Sequence, residues 1–284
     1  WKLTRRKIDL AVLFPNSFRS ALIAWLGRCQ RRIGYARQGR SWLLSDALSP
    51  VLDRDGRITP SPILDAYNQL AIRAGTPPPG HQMELFTTPR DESAADAIWE
   101  RTRLCNYPEV VCLNPGAAFG AAKFWPAEYF ARLARELAQK RGCGILVLCG
   151  PTERPICRQI VQQAGIPQVV GLHDAELSLG LTKACIRRAD LLVTTDSGPR
   201  HFAAAFGRRV VTLFGPTHIA WTETYHPLAV HLHKPVECGP CQQRVCPLGH
   251  HRCMRELMPE TVLNAALRLL AWPAPGWKEQ RHTA

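Results

Sequence analysis

The chain has 284 residues, with 36 Lys and Arg against 23 Asp and Glu, for a formal net charge of +13. That length suits one large or two ordinary domains, the composition is globular, and no apolar run is long enough to span a bilayer. The charge favours polyanionic partners (nucleic acid, an anionic membrane face or a phosphorylated substrate), with a merely basic, soluble enzyme as the plainer alternative.

Residues 1–7, WKLTRRK, are basic, and the apolar run after them is too short for a signal peptide. The chain lacks an initial Met and leads straight into a strand over 10–14, so it reads as truncated at the N-terminus. This strand is expected to be buried. Pro15-Asn16-Ser17 make a turn, a helix runs over 18–25 and Gly27 ends it, and 31–35 form a short strand. Over 61–75, Ile63, Leu64, Tyr67, Leu70 and Ala71 recur at helical spacing. A stiff TPPPG break follows, then a helix around 94–104. The domain boundary is expected near Tyr107-Pro108, where a new strand begins at once.

That strand covers 110–113 and opens into NPGAAFGAAKFWP, residues 114–126. Gly116 and Gly120 allow close approach of a backbone to a ligand. Lys123 is the nearest cation, and Pro126 opens a helix through Phe130, Leu133, Ala134 and Leu137. A lysine beside a Gly-rich loop and a helix start suits a diphosphate, although the spacing is not that of a Walker motif. Trp125 is read as a core anchor ahead of a ligand-stacking ring. A strand over 145–149 ends at Gly150-Pro151 and places Glu153 in the turn; 169–171 make another strand and 177–188 a helix. Residues 191–194 are apolar and partly β-branched without charge, as in a strand buried on both faces. Asp196, Ser197 and Gly198 break that pattern, Pro199 fits a first helical turn, and the helix continues over 201–206 to Gly207 before a strand over 210–214. A helix tip at a sheet edge favours a bound anion; simple capping by Asp196 or Ser197 is the plainer alternative. The alternation of strands and helices argues a doubly wound parallel sheet. Ligands of such sheets bind outside the carboxyl ends of the strands, where Lys123, Glu153 and Asp196 would meet.

Eleven cysteines are present. Cys112, Cys149, Cys157 and Cys185 fall inside expected strands or helices and read as small buried hydrophobes. Cys238, Cys241, Cys246 and Cys253 lie together in CGPCQQRVCPLGHHRC. Four thiolates can complete a tetrahedral structural zinc site, with His250 and His251 as substitutes; free thiols and disulfides are the competing readings, and the C-x6-C spacing is long. A helix over 261–270 ends the fold, and the tail from Pro273 is expected to be mobile.

Three stretches carry a family resemblance: D-S-G-x-x-H-x-A-A from Asp196, K-x-W-P from Lys123, and PNSFRSAL over 15–22. The chain resembles the family 9 glycosyltransferases, bacterial heptosyltransferases of the lipopolysaccharide inner core, and within them the branch that adds the second heptose. The resemblance implies an α/β fold of GT-B type, two Rossmann-like doubly wound domains facing a cleft, the first incomplete. Residues 1–107 would be the partial acceptor-side domain. Residues 108–284 would bind the nucleotide sugar and carry the Cys-rich loop 238–253. It implies heptose transfer from ADP-heptose to a lipid A-Kdo-heptose acceptor, inverting and with no cofactor required for the chemistry.

Donor contacts implied are Gly116, Lys123, Glu153 (to the ribose, or else only a first-turn acid), Leu177 (on the adenine), Asp196, Ser197, Gly198 and His201. Lys123 and Asp196 would be the catalytic pair, with Asp196 fixing the turn or a sugar hydroxyl. Asn16, Ser17 and Arg19 would face the acceptor, Arg19 having an ordinary solvated charge as its alternative. Relatives with a similar CPLGHHRC stretch make the cysteines a structural staple sooner than a catalytic metal site. Implied partners are ADP-heptose, a phosphorylated lipid-linked core oligosaccharide and the anionic inner-membrane surface, in the cytoplasm and peripheral to that membrane, with no nucleic acid. The family's base is an Asp in a Gly-rich turn after its first strand. No such turn precedes Leu10, so a strand–helix unit of about 30 residues or more is expected to be absent, with weak nucleotide binding and no turnover. Two other classes stay open. One is a non-catalytic nucleotide-sugar scaffold. The other is a zinc-containing nucleic-acid binder, which the dispersed basic residues argue against.

Overall fold

The computed structural model describes residues 7–272, which form two compact units: residues up to His81 with Ala220–Thr224, and Gln82–Ile219 with the chain from Tyr225 onward. The tail from Pro273 and residues 1–6 lie outside the described residues.

The first unit runs β1 (Leu10–Leu13), α1 (Phe18–Leu26), β2 (Arg31–Tyr35), β3 (Asp46–Leu48) and α2 (Ile63–Ala74). The strands form a parallel sheet in the order β1-β2-β3. The Ser17 hydroxyl accepts from the Ser20 N–H at 3.2 Å and caps α1, which Gly27 closes. Gly75 takes up φ +107° to end α2, a conformation that suits glycine. Leu13, Ala21, Ala24, Cys29, Leu43 and Leu44 make the core. The strand expected to be buried over 10–14 is only partly so: Leu10 is 40% and Phe14 44% exposed. β1 is an edge strand, so its apolar residues are covered on fewer sides than those of an inner strand.

The second unit begins with α3 (Pro89–Arg101), then β4 (Val110–Asn114), α4 (Ala127–Arg141), β5 (Gly144–Val147), α5 (Arg154–Ala164), β6 (Val169–Gly171), α6 (Leu179–Arg188), β7 (Leu191–Thr195), α7 (Gly198–Ala205), β8 (Arg209–Phe214), β9 (Ala229–His233), α8 (Arg252–Arg255) and α9 (Pro259–Ala271). The division thus falls at the proline-rich break and not at Tyr107-Pro108. Thr88 and Asp91 close a capping box, α3 buries Ala95 and Ile98 in the second core, and Glu92 accepts from Arg187 and Arg188 at the end of α6. Packing assigns α3 to the domain it precedes.

All six strands are parallel, in the order β6-β5-β4-β7-β8-β9. β4, β5, β7 and β8 are buried along their whole length, because helices cover both faces. α4 packs on α5 and α9, while α6 packs on α3 and α7. Trp125 is fully buried, its Nε1 donates to the Leu257 carbonyl at 2.7 Å, and it meets Phe130 edge-on at 4.8 Å. It is a core anchor. Strand succession runs outward in opposite directions from β4 and β7. The carboxyl ends of these two neighbours are the switch point at which such sheets bind ligands.

Candidate functional site

At that switch point Asn114, the last residue of β4, is 5% exposed. Its Nδ2 donates to the Thr194 hydroxyl at 3.0 Å, the Ser197 hydroxyl at 3.1 Å and the Gly116 carbonyl at 3.3 Å. Thr195 Oγ1 donates to the same Gly116 carbonyl at 2.6 Å. The turns after β4 and β7 are therefore stitched together by side chains whose polar groups are nearly all paired within the protein, as burial demands. Ser197 holds the N-cap position of α7 in extended conformation, yet its hydroxyl makes no capping bond because it faces Asn114. A Cβ at Gly198 would stand in open space. The tip of α7 thus keeps room and amide donors for an anion.

Beneath the tip lies a buried charge cluster. Lys123, on the short 3-10 turn Ala121–Lys123, is 7% exposed. Its Nζ donates to the Asp196 carboxylate at 2.5 Å and to the Asp196 carbonyl at 2.8 Å. Thr217 donates to the same carboxylate at 2.7 Å, and Arg200, 1% exposed, stands 3.5 Å from it. Burial acts to raise the Asp196 pKa, but the Lys123 charge and hydrogen bond, with Thr217 and Arg200, hold it below the usual carboxylate range. The carboxylate is ionised and fixes the turn from within. His201 is half-buried, and burial with the neighbouring Arg200 pushes its pKa down to about 4. At neutral pH it offers an uncharged imidazole.

Glu153 is half-buried and accepts from the Gly150 N–H at 2.8 Å, closing its own turn. A Cβ on Gly116 would fall inside the Glu153 carboxylate, so glycine here lets that acid approach the loop. Gly120, at φ +150°, makes room for a different neighbour than the ligand expected from sequence: a Cβ there would collide with the Arg244 carbonyl oxygen. Leu177 is half-buried against the core just before α6. The switch point thus gathers Gly116, Lys123, Glu153, Asp196, Ser197, Gly198 and His201. Asn114, Arg200 and Thr217 belong with them. No sequence pattern marks the first two, whereas Thr217 follows a Gly-Pro at a strand exit.

The four late cysteines and both histidines line one cavity, with Ala122 and Pro216. All the cysteines are free; Cys238 Sγ stands 3.9 Å from His250 Nε2. Among the described residues no three His, Cys, Asp or Glu side chains come together as a ligand set. The thiols expected from their spacing to hold zinc thus share one cavity wall without closing into a ligand set among the described residues; backbone N–H groups of the 248–251 turn hold the Cys246 thiol pKa below its ordinary value, which favours its thiolate.

In the first unit, Asn16 Oδ1 accepts from Arg40 at 3.1 Å, and Ser17 caps α1. Arg19 is exposed on the first turn of α1. Arg40, absent from the sequence expectations, is fully buried and also donates to the Pro15 and Ser17 carbonyls, fixing the turn that carries them. No helix among the described residues is long and apolar enough to cross a membrane.

A family model, glycosyltransferase family 9 (heptosyltransferase), matches residues 1–252. The chain is 37% identical over 171 residues to lipooligosaccharide heptosyltransferase 2 of Campylobacter jejuni, covering 59% of this chain and 53% of that protein, about half its length. It is 29% identical over 285 residues to lipopolysaccharide heptosyltransferase 2 of Salmonella typhimurium, covering 95% of this chain and 77% of the other. Its fold matches the solved ADP-heptose lipopolysaccharide heptosyltransferase II of Escherichia coli with a TM-score of 0.71 at 24% identity, over 95% of this chain and 78% of that one. The parallel α/β units are those of GT-B heptosyltransferases. With two of its three motifs at the doubly wound switch point and the third at the start of α1, the chain belongs to glycosyltransferase family 9, the heptosyltransferases.

Proposed function

We propose that this protein transfers heptose from ADP-heptose to a sugar hydroxyl of the lipid-linked, phosphorylated lipopolysaccharide inner core, with inversion and with no metal in the chemistry. It acts in the cytoplasm at the anionic face of the inner membrane. In the reaction the bond from the sugar's anomeric carbon to the diphosphate oxygen breaks, ADP leaves with the electron pair, and the acceptor oxygen bonds to the anomeric carbon and passes its proton to a general base. For that base the family resemblance implies an Asp in a Gly-rich turn, which this sequence does not contain ahead of Leu10. Charge grows on the departing diphosphate. Amides at Gly116 and at Ser197-Gly198 point donors at it, and the Lys123–Asp196 pair beneath holds both loops in place before the substrate arrives. His201 donates through a neutral N–H to the sugar or phosphate. Glu153 accepts from the ribose, and Leu177 packs on the adenine. Asn16, Ser17 and Arg19 meet the phosphorylated acceptor.

The observation that carries this reading is the amide-rich tip of α7 beside the Gly116 loop at the β4–β7 switch point. Crystals soaked with ADP are expected to hold the diphosphate between residues 115–123 and 197–198. Diphosphate density anywhere else would overturn the assignment.

A further inference from the structure

Lys123 is nearly out of solvent and its ammonium is engaged by Asp196. An arriving diphosphate carries more charge than a paired lysine and a few amides comfortably offset, so a cation without a carboxylate of its own belongs nearby. The cysteine-rich segment supplies one. We propose that Arg244 is a donor-binding residue whose guanidinium takes up diphosphate charge; this rests on the diphosphate site proposed above.

Two backbone bonds hold Arg244 in place. The Ala122 N–H donates to the Arg244 carbonyl at 3.1 Å, and the neighbouring Gln242 N–H donates to the Pro216 carbonyl at 2.8 Å. The segment is thereby fastened to the Lys123 loop on one side and to the exit of β8 on the other. The missing Cβ of Gly120 leaves the gap into which the Arg244 carbonyl fits. The side chain is exposed, with its guanidinium carbon 5.4 Å from the centre of the Phe119 ring. The same ring receives Lys123 Nζ at 4.6 Å. One aromatic ring therefore marks the place of both cations. Among the described residues the Arg244 guanidinium has no carboxylate or carbonyl partner, in contrast to Lys123. A stacked guanidinium is partly ordered in advance and keeps its fork of N–H donors for phosphate oxygens.

The test is calorimetric titration of the full chain and of Arg244→Ala and Arg244→Lys with ADP and, separately, with adenosine. Arg244→Ala is expected to weaken ADP by about tenfold or more, the usual worth of a charge-assisted bond. Adenosine affinity and the melting temperature stay unchanged, and Arg244→Lys recovers part of the loss. Unchanged ADP affinity in Arg244→Ala would overturn this role and leave the diphosphate site standing. Equal loss for adenosine would also overturn it, since that marks a structural part. If the unaltered chain binds ADP no more tightly than adenosine, the diphosphate site itself falls, and this role with it.

Discussion

Lys123 is the nearer of the cations that offset the buried Asp196 carboxylate, so removing it leaves that charge to Arg200 and Thr217 alone. Lys123→Met is expected to destabilise by somewhat less than the ~3–5 kcal/mol of a fully uncompensated buried charge. Adding Asp196→Asn to it should recover part of that loss. Urea unfolding of both single variants and the double variant reads this directly, and strict additivity of the two costs would show that the pair is not coupled. A Lys123→Ala binding defect alone therefore says little about contact with ligand. His201 makes a separate prediction. Its native pKa of about 4 lies below the ordinary value of 6.5, so the unfolded chain takes up the proton first. The associated stability is complete above pH 6.5 and is lost as pH falls toward 4. His201→Gln should flatten that part of the stability–pH curve; an unchanged slope would contradict the burial argument. Lys123, Glu153 and Asp196 were legible in the sequence because each follows a strand exit. Asn114 and Arg244 were not, because their roles arise from β4–β7 pairing and from a loop returning about 120 residues later, and a linear spacing carries no such information; Arg200 is only four positions from Asp196 but falls at an unspecified place in the D-S-G-x-x-H pattern.

Among the elements, the loop over 115–123 depends on one glycine. Gly120→Ala would place a methyl against the Arg244 carbonyl in a backbone conformation that side chains rarely adopt. We expect a lowered melting temperature together with weaker ADP binding. Normal ADP affinity in this variant would mean that the cysteine-rich segment does not shape the loop. The inner strands and the helices were readable because their apolar patterns are strong: the strand over 110–113 matches β4 and the helix over 18–25 matches α1, each one residue short. β9 was not foreseen because AVHLH is half-buried throughout, with two histidines breaking its apolar run. The placement of α3 was missed because its ion pairs with α6 join residues 95 and 96 positions apart.

At the scale of the whole molecule, a net charge of +13 should give attraction to anionic bilayers that fades with ionic strength. Co-sedimentation with phosphatidylglycerol vesicles is expected at low salt and should fall steeply by about 0.5 M salt; binding that ignores salt would assign it to apolar contact instead. The strand order carries a further consequence. The bonds that build the switch point join partners 73, 79 and 80 positions apart in sequence. While the polypeptide is still emerging from the ribosome, everything through β6 can be in place with its pocket only half-walled. Affinity for nucleotide should then arrive abruptly, when β7 slots in beside β4, so a bound nucleotide would report that synthesis has passed this strand and that it has docked.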